Sequence, residues 1–268
     1  MTTLPLYQID AFTDRVFTGN PAAVVPLDAW LDDALMQRIA QENNLSETAF
    51  LVREPEGSEA DFHLRWFTPT VEVPLCGHAT LASAWVLFHQ RDWPGDTVHF
   101  RSRSGVLGVR RRDDGWLELD FPSLAIRETD TPPLLSQALA GAPARCFQVP
   151  NDTNYLVVLA SESEVRQARP DLTLLSQLGN QGVILTARGD DCDFVSRYFA
   201  PGAGIDEDPV TGSIHAALTP YWADVLQRDA LMAKQVSERG GVLACRLTGD
   251  RVRIAGQACF YMSGTIRI

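Results

Sequence analysis

Glu72-Val73-Pro74-Leu75-Cys76-Gly77-His78 and Glu207-Asp208-Pro209-Val210-Thr211-Gly212-Ser213 share one frame, E-x-P-x-x-G followed by a polar residue, at an offset of 135 in a chain of 268 residues. Each copy runs into an apolar, Ala-rich segment with the look of a helix, Ala79 to Phe88 and Ile214 to Leu226. A glycine that lets backbone approach a ligand, followed by a helix start with free N–H groups, makes an anion cradle. The repeat extends outward in both directions. Asp61-Phe62-His63-Leu64-Arg65-Trp66-Phe67-Thr68-Pro69 matches Asp193-Phe194-Val195-Ser196-Arg197-Tyr198-Phe199-Ala200-Pro201. Gly105-Val106-Leu107 with Arg110 matches Gly241-Val242-Leu243 with Arg246, and Asn20 matches Asn154 ahead of a short apolar run. Matches in order at nearly one offset, half the chain long, predict two similar lobes rather than a short-period solenoid.

Strands surrounding one buried helix, twice over, predict an α+β architecture. The N-terminal lobe is expected over 1–122, completed by the closing strand 258–268, and the C-terminal lobe over 144–257. Pro122 to Pro143 reads as the crossing between them. Tyr7–Phe12, Ala22–Pro26, Ala49–Val52 and Phe62–Phe67 read as strands in the first lobe, and 98–120 as a strand meander. Asp28 is expected to cap a helix over Trp30–Glu42, with Leu31, Leu35 and Ile39 on one face. The helix from Ala79 has little polar surface and should be wrapped on all sides. Pro220 should bend or end the second helix.

Composition narrows the function. The formal net charge is −11, from 34 acidic and 23 basic residues. That argues against a broad nucleic-acid or anionic-membrane surface, because phosphate affinity comes mainly from Lys and Arg. The one basic run, Arg110-Arg111-Arg112, leads into Asp113-Asp114-Gly115 and reads as a solvated hairpin turn. Five cysteines, with no C-x-x-C, argue against a disulfide framework or a zinc site and suit a reducing cytoplasm. The first twelve residues lack a signal-peptide pattern, and no apolar run of about 18 residues predicts a membrane span.

Glu47 is the leading candidate acid–base. It ends a turn between Ser46 and Thr48 and enters an apolar stretch, so it is partly desolvated, which suits proton transfer near neutral pH. Its repeat partner falls near Asn180, which cannot ionise. His78 follows Gly77 at a helix start, where the positive helix end favours the neutral ring and lets it pass a proton at pH 7. Its partner Ser213 reads as an N-cap. Asp208 is peculiar to the second copy. Cys76 sits near the helix N-terminus, where a thiolate is favoured. Cysteine racemases use two facing thiols, whereas the second copy offers Thr211.

At these residues the chain resembles the phenazine-biosynthesis PhzF-like family, within the diaminopimelate epimerase-like fold. The matching segments are Ile9-Asp10-Ala11-Phe12 with Phe17-Thr18-Gly19-Asn20-Pro21-Ala22, then Asn44-Leu45-Ser46-Glu47-Thr48-Ala49-Phe50. They continue through Arg65-Trp66-Phe67-Thr68-Pro69 and Gly77-His78-Ala79-Thr80 to Glu207-Asp208-Pro209-Val210-Thr211-Gly212-Ser213. The resemblance implies two pseudo-symmetric lobes, each a barrel-like sheet around one helix, with a substrate cleft between them. It also implies a homodimer and no cofactor. In the family's characterised branch a Glu in the N-L-S-E-T segment shuttles a proton during isomerisation of a dihydro-hydroxyanthranilate; that role falls on Glu47. His78, Asp208 and Ser213 match other residues lining that site. The candidate set is Glu47, His78 and Asp208 as catalytic residues. Asn20, Ser46, Cys76, Gly77, Gly212 and Ser213 join them as substrate-binding residues, with no metal. The expected function is a cofactor-independent isomerase of a small carboxylate-bearing molecule. An epimerase or racemase, or a non-catalytic small-molecule-binding protein, is the alternative.

Overall fold

The structure, a computed structural model, describes residues 2–141, 145–150 and 154–268. It divides into two compact units: Met1–Asp120 with Ala255–Ile268, and Phe121–Ile254.

The first unit contains β1 (Thr3–Ala11), β2 (Asn20–Leu27), α1 (Asp33–Asn43), β3 (Glu47–Arg53), β4 (Phe62–Phe67), β5 (Glu72–Val73) and α2 (Gly77–Gln90). The meander β6 (Thr97–Ser102), β7 (Gly105–Arg111) and β8 (Leu117–Pro122) follows, and β18 (Ala258–Arg267) returns from the end of the chain. The strands lie in the order β18, β1, β2, β3, β4, β6, β7, β8, with β5 a short flap on β4. The β2–β3 and β4–β6 pairs are parallel and the others antiparallel. Both faces of β2 are covered, as a parallel strand requires. Ala23 and Val25 pack with Met36, Ile39 and Phe50 in a cluster that includes α1. By alternation Ala22 and Val24 face the other way, toward α2. That helix touches β1, β2, β3, β7 and β18, and Gly77–Ala84 and Val86–Phe88 are all buried. Its buried hydroxyls bond back along the helix, Thr80 to the Cys76 carbonyl and Ser83 to the Ala79 carbonyl.

α1 starts later than the sequence suggests. Asp32, not Asp28, caps it by accepting the Ala34 N–H at 2.9 Å. Trp30 stays outside the helix because its ring packs on Arg65 and edge-on to His63.

The second unit contains β9 (Arg127–Thr129), α3 (Pro133–Ala138), β10 (Arg145–Val149), β11 (Asn154–Val158), α4 (Glu162–Gln167), α5 (Leu172–Ser176), β12 (Val183–Arg188) and β13 (Phe194–Ala200). After a 3-10 turn come β14 (Ile205–Asp208), α6 (His215–Leu226), β15 (Ala230–Gln235), β16 (Gly241–Thr248) and β17 (Arg251–Gly256). The order β9, β10, β11, β12, β13, β15, β16, with β14 on β13, repeats the first unit's order and its two parallel pairs. The stretch expected to cross between lobes does more than connect: it supplies β9, paired with β10, and α3, whose Leu135 and Ala138 join the second unit's core. The lobe start expected at 144 lies outside the described residues.

Pro220 neither bends α6 into two elements nor ends it; the helix runs from His215 to Leu226. Proline removes the N–H that would bond the Ala216 carbonyl. That carbonyl instead accepts the Leu124 N–H at 3.0 Å, so the lost bond is replaced from the segment after β8.

Candidate active site

The parallel pairing of β2 and β3 puts both strand starts at one end of the sheet, with Ala22 opposite Glu47. Asn20 opens β2 and Glu47 opens β3. The N-terminus of α2 carries Cys76, Gly77 and His78 to the same end. The His78 ring bridges the group. Its Nε2 lies 3.0 Å from Glu47 Oε2. Its Nδ1 lies 3.2 Å from the Asn20 side-chain nitrogen and 3.4 Å from Cys76 Sγ. Asn20, Cys76, Glu47 and His78 are 0, 6, 7 and 3 % exposed, so water competes little for these contacts. Among the described residues the ion-pair partner of Glu47 is His78, with no Lys or Arg at the carboxylate.

Two sequence expectations change here. Burial works against a charge on the His78 ring, but the neighbouring Cys76 and Glu47 outweigh it and hold its pKa well above the usual 6.5. The shift runs opposite to the one a helix start alone would give, because Cys76 and then Glu47 act on the ring at closer range than the helix end. Cys76 is not a thiolate: burial, and then the Glu47 charge, push its pKa up to about 11. Cys76 is the N-cap residue of α2 but makes no side-chain capping bond. Gly77 is the first residue of α2 and is buried. Ser46 sits half-buried on the bend before β3.

Asp208, Gly212 and Ser213 lie on the corresponding turn of the second unit. Asp208 ends β14, is 8 % exposed and accepts the Thr211 hydroxyl at 2.5 Å. Gln235, buried on β15, pins this turn: its amide donates to the Asp208 carbonyl at 2.8 Å and its oxygen accepts the Thr211 N–H at 2.8 Å. Ser213 is not an N-cap. Ile214 takes that position in helical geometry without a side-chain bond, and Ser213 stays half-buried in the turn before it.

The comparisons with known proteins follow the same frame. The sequence profile described as phenazine biosynthesis-like protein matches residues 9–264. The chain belongs to this family. It is 54 % identical over 265 residues to an uncharacterised isomerase of Pseudomonas aeruginosa, covering 99 % of each chain. It is 44 % identical to a PhzF family protein of Enterococcus faecalis, whose crystal structure superposes with a TM-score of 0.93 over 100 % of both chains. A hydroxyproline epimerase from Agrobacterium vitis, 11 % identical, shares the fold with a TM-score of 0.65 over 98 % of this chain and 92 % of its own. The fold is thus the α+β architecture of the epimerases, and the chain is an isomerase of the PhzF-like family.

Within that family frame, the repeat's glutamates have a structural task. Glu72 grips Arg65 with two hydrogen bonds of 2.8 Å, and Glu207 grips Arg197 at 2.7 and 2.8 Å. Each fork ties the flap β5 or β14 to the strand before it. The matched pairs Arg65/Arg197 and Glu72/Glu207 carry this signal in the sequence, unread because the arginines sit in a different matched segment. Register narrows the partner of Glu47. With Arg65 aligned on Arg197 it is Gly182, two residues from Asn180; with Asn20 aligned on Asn154 it is Ile184. Both are buried and neither can ionise, so the second unit has no acid where the first places one. His215, fully buried with its Nδ1 on the Thr211 carbonyl at 2.9 Å, was not singled out by sequence. Burial lowers its pKa to about 4.

Proposed function

We propose that this isomerase moves a proton within a small carboxylate-bearing substrate, with Glu47 as the shuttle and no cofactor in the reaction. Glu47 takes the proton as a C–H bond breaks, and the electron pair moves into the substrate's conjugated system. The proton then returns to a different carbon, so Glu47 ends as it began. The observation that carries this reading is the buried Glu47–His78 pair, an acid facing an imidazole at 3.0 Å with no Lys or Arg at the carboxylate. A ring whose neighbours favour its charged form stabilises negative charge that develops during proton transfer. Asn20 holds that ring from the far side. Positioned acid–base catalysis of this kind contributes roughly 10²–10⁴-fold.

The uncapped start of α2 at Gly77 supports an anion-binding role for a substrate carboxylate. Asp208, Gly212 and Ser213 are proposed to contact substrate from their own turn. The Asp208→Asn variant tests this: turnover or KM should change by at least tenfold with stability unaltered, and unchanged kinetics contradict the role. Chiral analysis of the product separates isomerisation, which gives a new constitution, from epimerisation, which gives a mirror-related centre. Among the described residues no helix is long and apolar enough to cross a membrane. Five free cysteines support a reducing, cytoplasmic setting. We also propose that the protein is a homodimer.

A further inference from the structure

We propose that Glu47, Cys76 and His78 also form a binding site for a thiophilic divalent cation of the Zn2+ type, and that its occupation stops proton transfer at Glu47. A nitrogen of His78, Cys76 Sγ and a Glu47 carboxylate oxygen lie within 4.8 Å of one another, and all three side chains are buried. Nitrogen, sulfur and oxygen donors together suit Zn2+ better than Mg2+ or Ca2+, which take oxygen. Cys76 Sγ and His78 Nδ1 are already 3.4 Å apart. Two ligands on one tetrahedral Zn2+, with bonds of about 2.3 Å to sulfur and about 2.0 Å to nitrogen, stand about 3.5 Å apart. The Glu47 carboxylate joins them by swinging from Nε2 toward that edge, and the metal replaces the Asn20 amide at Nδ1.

On binding, Zn2+ takes the Cys76 sulfur as a thiolate and a His78 nitrogen in its neutral form, and the protons displaced from these ligands go to solvent. The other triad with metal-ligand donors, Glu162, Asp191 and Cys192, is already engaged by cationic side chains. There Arg166 holds Glu162 at 2.6 Å and Lys234 holds Asp191 at 2.6 Å, so resident cations compete.

The blocking part of the proposal rests on the function proposed above; the binding part does not. Titration of the intact protein with Co2+ tests the binding. One equivalent should give a thiolate-to-cobalt charge-transfer band with the visible bands of a tetrahedral ion, and Zn2+ should displace it. Cys76→Ser should lose the charge-transfer band, and Cys192→Ser should keep it. Glu47→Gln, near-isosteric, should weaken Co2+ binding at least tenfold and serves if Cys76→Ser fails to fold. A missing band, a band retained in Cys76→Ser, or a band lost in Cys192→Ser overturns the site. Blocking is read separately, as loss of solvent-deuterium exchange into substrate with one equivalent of Zn2+ and recovery with a chelator. Exchange unaffected by bound Zn2+ overturns the blocking. Absent exchange in the metal-free protein counts against the proposed function and leaves the Co2+ result to stand by itself.

Discussion

Glu47 has a buried residue that cannot ionise, Gly182 or Ile184 by register, at its position in the second repeat, and the contrast separates chemistry from packing at single-residue scale. The same fold is built there without an acid, so the acid in the first unit needs its own explanation. The two buried histidines make the same point through opposite pH dependences. His215 is neutral when folded, with a pKa near 4 against an ordinary 6.5. The unfolded chain therefore binds more protons at this ring, and stability falls as pH drops from about 6.5 toward 4. Fully buried, the ring should cost on the order of 3 kcal/mol over that window, and His215→Gln should flatten the slope in denaturant titrations. His78 has the reverse sign, because its folded pKa lies above 6.5. Its contribution is complete below about 6.5 and is lost as pH rises through the folded value. The wild-type advantage over His78→Gln should accordingly shrink from pH 6 to pH 9; a constant or growing gap contradicts the assignment. Glu47 was legible in sequence as an acid entering an apolar strand. The charge state of His78 was not, because it depends on a carboxylate 31 positions away whose approach only the parallel β2–β3 pairing and the packing of α2 create.

Among elements, the paired forks explain why the repeat keeps its glutamates. Arg197 is 7 % exposed, takes both oxygens of Glu207 and gives its third nitrogen to the carbonyls of Val165 and Ala168 at 3.1 and 2.8 Å. It therefore ties β13, β14 and the end of α4 into one body. Removing one member of such a pair leaves a buried charge unmatched. Arg197→Ala should cost roughly 3–5 kcal/mol by chemical denaturation, and the double variant with Glu207→Ala should cost less than the sum of the singles. Additive losses would show that the two side chains act independently. Element positions were largely readable from hydrophobic periodicity and from the repeat. The misreadings share one cause, which is that a distant group decides a local choice. Arg65 and His63 hold Trp30 out of α1, and Leu124 supplies the bond that lets α6 pass through Pro220.

For the whole molecule, the duplication visible in sequence corresponds to one strand order used in both units, with β18 returning to β1 from the far end of the chain. β18 also bears on assembly. Residues 260–265 are exposed in succession, including Phe260, Tyr261 and Met262, and Phe17 packs edge-on against Tyr261. Ile254–Ile266 contains no charged residue, in a chain of net charge −11. A second copy can thus meet this strand without like-charge repulsion. Antiparallel pairing about a two-fold axis at Met262 sets Phe260 opposite Gly264, an aromatic over a glycine. The homodimer proposed above should form here, and light scattering should show Met262→Lys as a monomer at concentrations where wild type is a dimer. A dimeric variant would place the interface elsewhere. The most direct test of the central claim is proton NMR in heavy water, with wild type and Glu47→Gln each mixed with dihydro-hydroxyanthranilate and a panel of small cyclic and amino acids. Deuterium should enter a C–H position of a ligand with wild type and be slowed at least a hundredfold by Glu47→Gln, whose fold and ligand binding remain intact. Equal exchange by the two proteins would contradict Glu47 as the shuttle.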